Sequence, residues 1–427
     1  MEIKSVFVFP CGSEIGLEIH RSLRYSRHIN LIGGSSVDDH GRFVYSNYIS
    51  NIPFFNEANF IPLIKGLVNE YQIDAVYPSM DSVIAKLAEY ESFLGCKIIG
   101  SPSQTTKICL SKTRTYYQLR DVILTPKIYE STEPNIRYPV FAKPDEGYGT
   151  RGAKKIHSFE QMKQHLIEYP NSIILEYLPG KEYTVDCFTD RKRNLLFAGP
   201  RPRRRILNGI SVNTISHVDD ITPFMDIAKK INQSLNLRGA WFFQVKENES
   251  GELVLLEVAA RLGGSSALYR NLGVNFALLS IFDAFDKDVD ILYNPTITIE
   301  LDRALNNRYK LDFIFEEVYI DFDDCLVIDG KVNTDLIGFI YKCINKGIKV
   351  SLLTRHERSL EETLKMNRLN NVFDSIVNIK NGLPKSLFIK NAKAIFIDDS
   401  FAERKEVYLN KRIPVFSPDA CECLLGD

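Results

Sequence analysis

A chain of 427 residues is too long for one ordinary hydrophobic core, and its length favours roughly two to four domains. Its composition, 44% hydrophobic and 25% charged without a low-complexity tract, is typical of compact soluble proteins. The formal net charge of -1 excludes a global attraction to nucleic acid or to an anionic membrane, so any anion-binding site must be local.

The cysteines and the N-terminus bear on the cellular compartment. The eight cysteines are scattered, and the close pair Cys421 and Cys423 matches no common zinc or redox spacing, which favours free thiols in a reducing compartment. The first apolar run stops at Pro10, too early for a signal-peptide core, and no run approaches membrane-spanning length. We therefore expect a cytoplasmic protein without nucleic-acid or membrane partners, and a homodimer is compatible with the sequence.

Up to about residue 105, short apolar runs alternate with helical periodicity. The pattern predicts strands at 5–9, 29–32, 75–77 and 97–99, and helices at 15–25, 57–71 and 82–93. Such alternation predicts a parallel sheet covered on both faces. The turn from Gly12 to Gly16 could receive a phosphate, but it lacks the full dinucleotide fingerprint, and a mere tight turn is favoured.

The pattern changes between about residues 106 and 315. It predicts a helix near 103–120, strands and glycine turns through Asp186, and a mixed α/β stretch ending in a helix at 276–285. The β-α-β alternation then restarts, with strands at 318–320, 349–353 and 394–397 and a helix at 334–346. We therefore expect domains at 1–105, 106–315 and 316–427.

Lys143 ends an apolar strand and precedes a loop that contains Gly147, Gly149 and Gly152. A lysine out of water needs an anionic partner, and glycines let backbone N–H groups close around phosphate oxygens. Taken alone, the segment fits a surface hairpin with a paired lysine equally well.

Two later segments favour the phosphate interpretation. A strand carrying Glu176 leads through a Pro-Gly turn to Glu182, and two further strands present Gln244, Glu257 and Arg261. Carboxamide and carboxylate oxygens suit Mg²⁺, and an arginine forks onto oxyanions. This set of residue types is suited to phosphoryl transfer.

Over roughly residues 1–315 these ordered motifs resemble the ATP-grasp superfamily, most closely its carbamoyl-phosphate-synthase-like branch. The resemblance implies a preATP-grasp parallel α/β domain followed by an ATP-grasp α+β domain. It also implies ATP as the cofactor, with Mg²⁺ or Mn²⁺ as the cation. Full carbamoyl-phosphate synthesis is disfavoured, because a single ATP-grasp unit is present and nothing resembles an ammonia-supplying domain.

The resemblance also assigns roles to individual residues. It implies phosphate contacts for Lys112 and Lys143 under the loop with Gly147, Gly149 and Gly152, adenine contacts for Glu176, Tyr177 and Leu178, a ribose contact for Glu182, Mg²⁺ contacts for Gln244 and Glu257, and a contact of Arg261 with the transferring phosphate. Many members have asparagine where this chain has Ala259, so a second Mg²⁺ is expected to be held more weakly or through water.

The basic run from Arg201 to Arg205 has several interpretations. Clustered arginines usually form a solvated face or contact nucleic acid, and the net charge disfavours the second alternative. In similar ATP-grasp proteins, an arginine-bearing stretch between the hinge glutamate and the metal-binding glutamine faces the acyl-phosphate pocket. By this resemblance we expect that role for Arg203 or Arg205.

A second polar group follows the strand at 318–320. Its members stand at strand ends or begin a short helix: Asp321, Asp323, Thr354, Lys385, Asp398 and Asp399. The carboxyl ends of parallel strands meet at one edge of a sheet, where these side chains would form a Mg²⁺ site beside a nucleophilic carboxylate. The spacing of an EF-hand loop is absent.

This second pattern looks like the haloacid-dehalogenase (HAD) phosphatase superfamily over residues 316–427, with Cys325 where its first motif usually has threonine or valine. The resemblance implies the following roles: Asp321 as nucleophile, Asp323 as general acid and base, Thr354 and Lys385 as phosphoryl-binding residues, and Asp321, Asp323 and Asp398, with Asp399 a further candidate, at the Mg²⁺ site. Lys380 and Lys390 are competitors of Lys385. The intervals between motifs leave no room for a cap, so a capless Rossmannoid α/β domain is expected.

Together the resemblances predict a bifunctional enzyme. The ATP-grasp part would join a small-molecule carboxylate to an amine or similar nucleophile through an acyl phosphate, and the HAD-like part would dephosphorylate a phosphorylated metabolite. Two alternatives stay open, because Cys325 allows a non-catalytic binding or assembly module and Ala259 allows an ATP-binding protein without ligase activity. The substrates are not identified by fold-level resemblance.

Overall fold

The computed structural model describes residues 2–130, 136–147, 152–293 and 297–425. The chain divides into two compact units, Met1–Leu305 (unit 1) and Asn306–Asp427 (unit 2). The division after Leu305 and the boundary expected near residue 315 both fall within the segment 303–316, which has no helix or strand. The further division expected at residue 105 stays a prediction. No helix in the described ranges combines the length and the apolar character needed to cross a membrane.

The first part of unit 1 is a five-stranded parallel sheet with the order β3-β2-β1-β4-β5. Its strands are β1 (Lys4–Phe9), β2 (Ile29–Gly34), β3 (Asn47–Ile49), β4 (Ala75–Pro78) and β5 (Lys97–Ile98). Its helices are α1 (Glu14–Leu23), α2 (Phe60–Glu70), α3 (Asp81–Glu89) and α4 (Glu91–Leu94), with a 3₁₀ turn at His40–Phe43. The predicted parallel α/β arrangement is confirmed.

Two helices that accompany this sheet have boundaries that differ from the predicted ones. The helix expected at 82–93 is interrupted at Tyr90, whose N–H bonds to Leu87 instead of continuing the α-helical pattern. Helix α1 begins at Glu14 because Ser13 caps it, accepting a 2.9 Å hydrogen bond from the Gly16 N–H. A Cβ at Gly16 would lie 2.5 Å from the Cys11 carbonyl oxygen, so the turn from Gly12 to Gly16 depends on close backbone packing.

A four-stranded antiparallel sheet follows, with the order β6-β9-β7-β8. Its elements are α5 (Ser103–Leu110), α6 (Lys112–Leu119), β6 (Ile128–Tyr129), β7 (Val140–Pro144), β8 (Lys154–Ile156), α7 (Phe159–Glu168) and β9 (Ser172–Glu176). The single helix expected near 103–120 is divided at Ser111, which has extended backbone angles and accepts from the Arg114 N–H to cap α6. Serine favours such a cap because its hydroxyl satisfies an otherwise unpaired helical N–H.

The remainder of unit 1 contains two more antiparallel sheets, with the orders β11-β10-β14-β15 and β12-β13-β16. Its elements are β10 (Glu182–Thr189), β11 (Leu195–Pro202), β12 (Arg205–Leu207), β13 (Ile210–Ile215), α8 (Thr222–Ser234), β14 (Gly239–Glu247), β15 (Leu253–Ala259), α9 (Ala267–Arg270), α10 (Phe276–Ala284) and β16 (Glu300–Asp302). The four-stranded sheet supplies one wall of the cleft described below.

Unit 2 is built on a five-stranded parallel sheet with the order β21-β20-β17-β22-β23 and a small hairpin, β18-β19. Its elements are β17 (Glu317–Ile320), β18 (Val327–Ile328), β19 (Lys331–Val332), α11 (Thr334–Asn345), β20 (Lys349–Thr354), α12 (Leu360–Met366), β21 (Ser375–Asn378), β22 (Ala394–Ile397), α13 (Phe401–Lys411) and β23 (Val415–Phe416), with 3₁₀ turns at Lys385–Phe388 and Pro418–Leu425.

The central strand of unit 2 is buried on both faces. Val318 and Ile320 pack into one hydrophobic cluster, whereas Tyr319 packs into another on the opposite face. A strand covered on both sides reads as a continuous apolar run, which is why Val318–Ile320 could be predicted from the sequence. The strand ends at Ile320, so Asp321 stands at the carboxyl edge of the sheet.

Candidate functional site

Unit 1 contains a cleft of ≈ 390 Å³ beside the sheet β11-β10-β14-β15. Thr184 pairs with Arg201 on one neighbouring strand and with Gln244 on the other, and Gln244 pairs with Glu257. Directly opposed residues on antiparallel strands place their side chains on the same face. These four residues form one row across the sheet, and all four line the cleft.

Arg203 connects two residues for which different roles were predicted. Its Nη1 donates to Gln244 Oε1 at 2.8 Å and also contacts the carboxylate of Glu182. Its Nη2 donates to the Gly209 carbonyl oxygen at 2.5 Å. Gln244 Oε1 therefore already faces a cationic group, and such a hard oxygen atom fits Mg²⁺.

Arg261 also lines the cleft, and three contacts fix its side chain, one of them from Nη1 to the Leu262 carbonyl oxygen at 3.1 Å. Its Nε donates to Asp81 Oδ2 at 2.8 Å, and its guanidinium lies 5.2 Å from the centre of the Phe242 ring. Ala259 pairs with Phe242 and lines the same cleft, so the position where asparagine was expected by resemblance faces the site.

The break at Ser111 positions Lys112. Asp145 accepts from the Ser111 hydroxyl at 2.6 Å and from the Thr113 N–H at 2.7 Å, and both the backbone N–H and the Nζ of Lys112 donate to its carbonyl oxygen. Burial raises the pKa of Asp145, but these hydrogen bonds outweigh burial and hold the pKa below its usual value. Lys112 is buried and lines the cleft.

Lys143 lies at the end of β7, where its Nζ donates to the Leu256 carbonyl oxygen at 2.9 Å. Removal of water by the surrounding protein, together with the positive charge of Lys112, lowers the pKa of Lys143 to about 7. A lysine with this pKa gains a proton readily when an anion approaches.

The glycines of the predicted phosphate loop are partly described. Gly147 lines the cleft and has a φ of 147°, and Gly152 has a φ of 71°, conformations that favour glycine. A Cβ on Gly152 would also lie 2.7 Å from the Tyr169 ring. Gly149 lies outside the described residues.

Three residues predicted to contact adenine lie away from the described lining of this cleft. Glu176 Oε1 accepts from the Lys127 N–H at 3.0 Å, the Tyr177 ring lies 3.9 Å from Lys155 Nζ, and Leu178 is buried. Their adenine contacts stay a prediction.

In unit 2, Lys385 joins two carboxylates at the carboxyl edge of the parallel sheet. Its Nζ lies 2.6 Å from Asp321 Oδ1 and 2.6 Å from Asp398 Oδ2, and the three side chains are 3%, 8% and 1% exposed, respectively. Oxygens of Asp321, Asp398 and Asp399 lie within 4.8 Å of one another and could hold a metal ion. Lys380 instead donates to the backbone carbonyls of His356 and Glu357.

The electrostatics of this cluster follow from burial. Burial raises the pKa of Asp321 to about 6, and the negative charge of Asp398 adds to the effect against the opposing charge of Lys385. Burial also raises the pKa of Asp398. Burial alone would lower the pKa of Lys385, but the two carboxylates outweigh it and the pKa is raised, so this lysine is a cation.

Thr354 ends β20 beside this edge and is fully buried. Its Oγ1 has no hydrogen-bond partner among the residues that the structure describes. Buried hydroxyls are nearly always hydrogen-bonded, so this atom is available to an oxygen of a ligand.

The Asp323 side chain is not part of the potential metal-binding group. Both of its carboxylate oxygens lie close to His356 Nδ1, at 2.9 and 3.0 Å, and His356 Nε2 lies 3.0 Å from Thr363 Oγ1. The geometry therefore does not support the metal-ligand role that was predicted for this side chain. His356 was missed by the sequence analysis, although it follows Thr354 closely in the chain.

Comparison with known proteins identifies part of unit 1. Residues 168–307 match the family model described as ATP-grasp in the biosynthetic pathway with Ter operon. The chain is 30% identical over 142 residues to a D-alanine–D-alanine ligase of Thermotoga petrophila, covering 31% of this chain and 46% of that protein. It is 24% identical to the vancomycin/teicoplanin A-type resistance protein VanA of Enterococcus faecium, and that match covers 46% of this chain and 67% of VanA. The chain thus spans less than half of the Thermotoga ligase.

Solved structures support the same fold. The biotin carboxylase domain of Hydrogenobacter thermophilus 2-oxoglutarate carboxylase superposes with a TM-score of 0.58 at 15% identity, covering 69% of this chain and 73% of that one. An L-amino acid ligase from Bacillus licheniformis superposes with a TM-score of 0.55 at 16% identity, and the superposition covers 69% of this chain and 76% of the ligase. The match to the family model and the shared fold of these structures support an ATP-grasp domain in unit 1.

The expected resemblance to the ATP-grasp superfamily is confirmed. Its narrower assignment to the carbamoyl-phosphate-synthase-like branch and the HAD-like character of unit 2 stay predictions.

The structure separates Arg203 and Arg205, the two arginines for which a place at the acyl-phosphate pocket was expected. Arg205 is exposed, donates to Asp302 Oδ1 at 2.6 Å and does not line the cleft, whereas Arg201 and Arg203 do. The chain leaves one sheet at Pro202 and joins another at Arg205, so neighbours in the sequence separate in space. The signal that could have identified Arg201 is its position within an apolar strand.

Proposed function

We propose that the ATP-grasp domain belongs to an ATP-dependent ligase that joins a small-molecule carboxylate to an amine-type nucleophile through an acyl phosphate. The observation that carries the proposal is the pairing of Gln244 with Glu257 on the wall of a cleft that Lys112, Arg203 and Arg261 also line. Oxygen ligands beside cationic side chains meet the requirements of phosphoryl transfer. The names of the D-alanine–D-alanine ligases and the L-amino acid ligase support an amide-forming reaction.

In this reaction, a carboxylate oxygen of the first substrate attacks the γ-phosphorus of ATP, and ADP leaves. The amine then attacks the acyl carbon, and inorganic phosphate leaves. Gln244 and Glu257 would hold Mg²⁺, which when bound neutralises phosphate charge. Lys112 and Lys143 bind phosphate oxygens, and Glu182 binds the ribose hydroxyls.

Arg261 would bind the transferring phosphoryl group. Its contacts with Asp81 and Phe242 restrict the guanidinium before the substrate arrives, which reduces the reorganisation needed during the reaction.

The test is a screen for ADP release over a panel of carboxylates and amines, with the products identified by mass spectrometry. ADP release that depends on both substrates, together with a condensed product, is the expected result. ADP release that stays at background across the panel would instead support an ATP-binding protein without ligase activity, the alternative that Ala259 leaves open.

Binding of Mg·ADP should be accompanied by proton uptake at Lys143. At pH 8 a lysine whose pKa is about 7 is mostly neutral, and a neighbouring phosphate stabilises its charged form and raises that pKa. We expect uptake of up to about one proton at pH 8 and little uptake at pH 6, where the lysine is already charged. Titration calorimetry in two buffers of different ionisation enthalpy measures this number.

The matched control for this experiment is Lys143→Met, which keeps a long side chain without the titrating group. It should bind Mg·ADP more weakly and without pH-dependent proton uptake. Equal uptake by the variant and the wild type would show that another group takes the proton.

We propose a second activity, Mg²⁺-dependent hydrolysis of a phosphate ester, for unit 2. The observation that favours it is the buried contact of Lys385 with Asp321 and Asp398, next to the unpartnered hydroxyl of Thr354. The HAD-like resemblance supplies the roles. Asp321 attacks phosphorus, Lys385 and Thr354 bind the phosphoryl oxygens, and Asp321, Asp398 and Asp399 would hold Mg²⁺.

Asp323 would act as the general acid and base of this activity. It would give a proton to the leaving oxygen when Asp321 forms the aspartyl phosphate. It would then take a proton from the water that cleaves this intermediate, which releases inorganic phosphate and restores Asp321.

Cys325 should be dispensable for this second activity. Its thiol is fully buried in the hydrophobic cluster of unit 2, and burial raises its pKa, so it is neither a nucleophile nor a ligand. We expect Cys325→Val to retain the rate of hydrolysis within about threefold, because valine is usual at this position of the HAD motif and a hydrophobic side chain of about the right size keeps a core folded. Cys343, on α11, is buried in the same cluster, so Cys343→Val controls for the effect of enlarging a buried side chain there. A loss of about tenfold or more in Cys325→Val alone would contradict this expectation.

A further inference from the structure

Two buried guanidinium N–H groups of the cleft-lining residues have no partner in the described part of the chain. They are Nη1 of Arg201 and Nε of Arg203. The Arg201 side chain is only 3% exposed. Because buried polar groups are nearly always hydrogen-bonded, an unpartnered cationic donor beside a cleft is available to an oxygen of a ligand.

Asp186 fixes the orientation of Arg201. Its two oxygens accept from Nε at 2.6 Å and from Nη2 at 3.4 Å, and its side chain is also 3% exposed. Gly263 lies against this carboxylate, since a Cβ there would be 2.6 Å from Asp186 Oδ1. A guanidinium has five N–H donors, so a single carboxylate holds it in place without using Nη1.

The orientation of Arg201 separates its guanidinium from the expected site of carboxylate activation. Arg201 is bound to Asp186, which pairs with Phe242, two residues away from Gln244 on the same strand, whereas Arg203 is the arginine that contacts Gln244. Under the proposed ligase function, the carboxylate that is phosphorylated lies at the Gln244 and Glu257 end. A group bound at Arg201 is therefore a second group.

We propose that Arg201 selects ligase substrates that carry a second oxyanionic group, away from the carboxylate that is activated. The inference rests on the proposed ligase function and adds its substrate class. The second group belongs either to the amine acceptor, which is then an amino acid, or to the activated donor, which is then a dicarboxylic acid. Both sources present the same carboxylate chemistry to Nη1.

The test measures kcat/KM for ADP release in two paired series. One compares amino acids with their carboxamides as acceptors, and the other compares dicarboxylic acids with their monoamides as donors. We expect the wild type to prefer the acid by about 10²-fold in one series, because the amide offers the buried guanidinium a neutral acceptor in place of a negatively charged one. The series that shows the preference identifies the source.

Arg201→Lys keeps a positive charge beside Asp186 but removes the fork, and it should reduce the preference to about tenfold or less, mainly through KM of the acid. Because an unpaired Asp186 could impair folding, a double variant, Arg201→Gln with Asp186→Asn, removes both charges together and should also lose the preference. Arg205→Lys, an exposed member of the same arginine run, is the matched control and should retain it.

The outcomes distinguish this inference from the function on which it rests. ADP release at equal rates for acid and amide in both series, or a preference that survives in both Arg201 variants, would overturn the role of Arg201 and leave the ligase function intact. ADP release at background with every pair would overturn the ligase function and, with it, the role of Arg201.

Discussion

Replacing Asp321 by asparagine should reduce Mg²⁺-dependent hydrolysis of a generic phosphate ester by at least about 10³-fold, which corresponds to about 4 kcal/mol of transition-state stabilisation. The asparagine side chain has nearly the same shape as that of aspartate. It lacks the carboxylate that attacks phosphorus, and one oxygen of the expected metal site is lost with it. Lys385 keeps its contact with Asp398, so the fold should be retained. Phosphate release and circular dichroism measure the two effects.

Asp324→Asn is the matched control in the same segment. Asp324 is exposed, and its φ of 54° is one that asparagine tolerates well. This variant should hydrolyse the ester at the wild-type rate. If neither the wild type nor Asp321→Asn hydrolyses the ester, unit 2 is better explained as a non-catalytic module that binds a phosphorylated ligand or mediates assembly.

Replacing Glu257 by glutamine should reduce ADP release by about 10²- to 10³-fold, because charge stabilisation by a bound cation contributes several kcal/mol to phosphoryl transfer. Glutamine keeps the size of the side chain but removes its negative charge, so the Mg²⁺ concentration needed for half-maximal rate should also rise. A Mg²⁺ titration of the rate of ADP release measures both effects.

Glu249→Gln provides the control for this variant, because Glu249 is exposed on the turn that joins the same two strands. It should leave the rate and the Mg²⁺ requirement unchanged. A Glu257→Gln variant with a wild-type Mg²⁺ requirement would argue against Glu257 as a metal-binding residue, whatever its effect on the rate.

Much of the secondary structure could be predicted, because it depends on local patterns. The apolar run of β17 and the alternation of strands and helices in the first hundred residues are visible without tertiary information. The breaks at Tyr90 and Ser111 were missed, because each interrupts an otherwise helical pattern through one backbone or capping contact. Helix ends of this kind depend on single hydrogen bonds, which periodicity does not reveal.

Only part of the candidate site could be predicted from the sequence. Gln244 and Glu257 lie opposite each other as their motif suggested, whereas Arg205 turned out to belong to a different sheet from Arg201. The sequence around the arginine run does not indicate where the chain leaves one sheet and enters the next. That point determines which arginines reach the cleft.

The sequence by itself determined the residue types at the strand ends, such as Asp321 and Asp398, because motif order and apolar periodicity are local properties of a chain. Only the tertiary structure decided their partners: Lys385 rather than Lys380 beside the two carboxylates, and His356 beside Asp323. These contacts join residues that are distant along the chain. They depend on strand register, loop paths and burial, which no short stretch of sequence specifies.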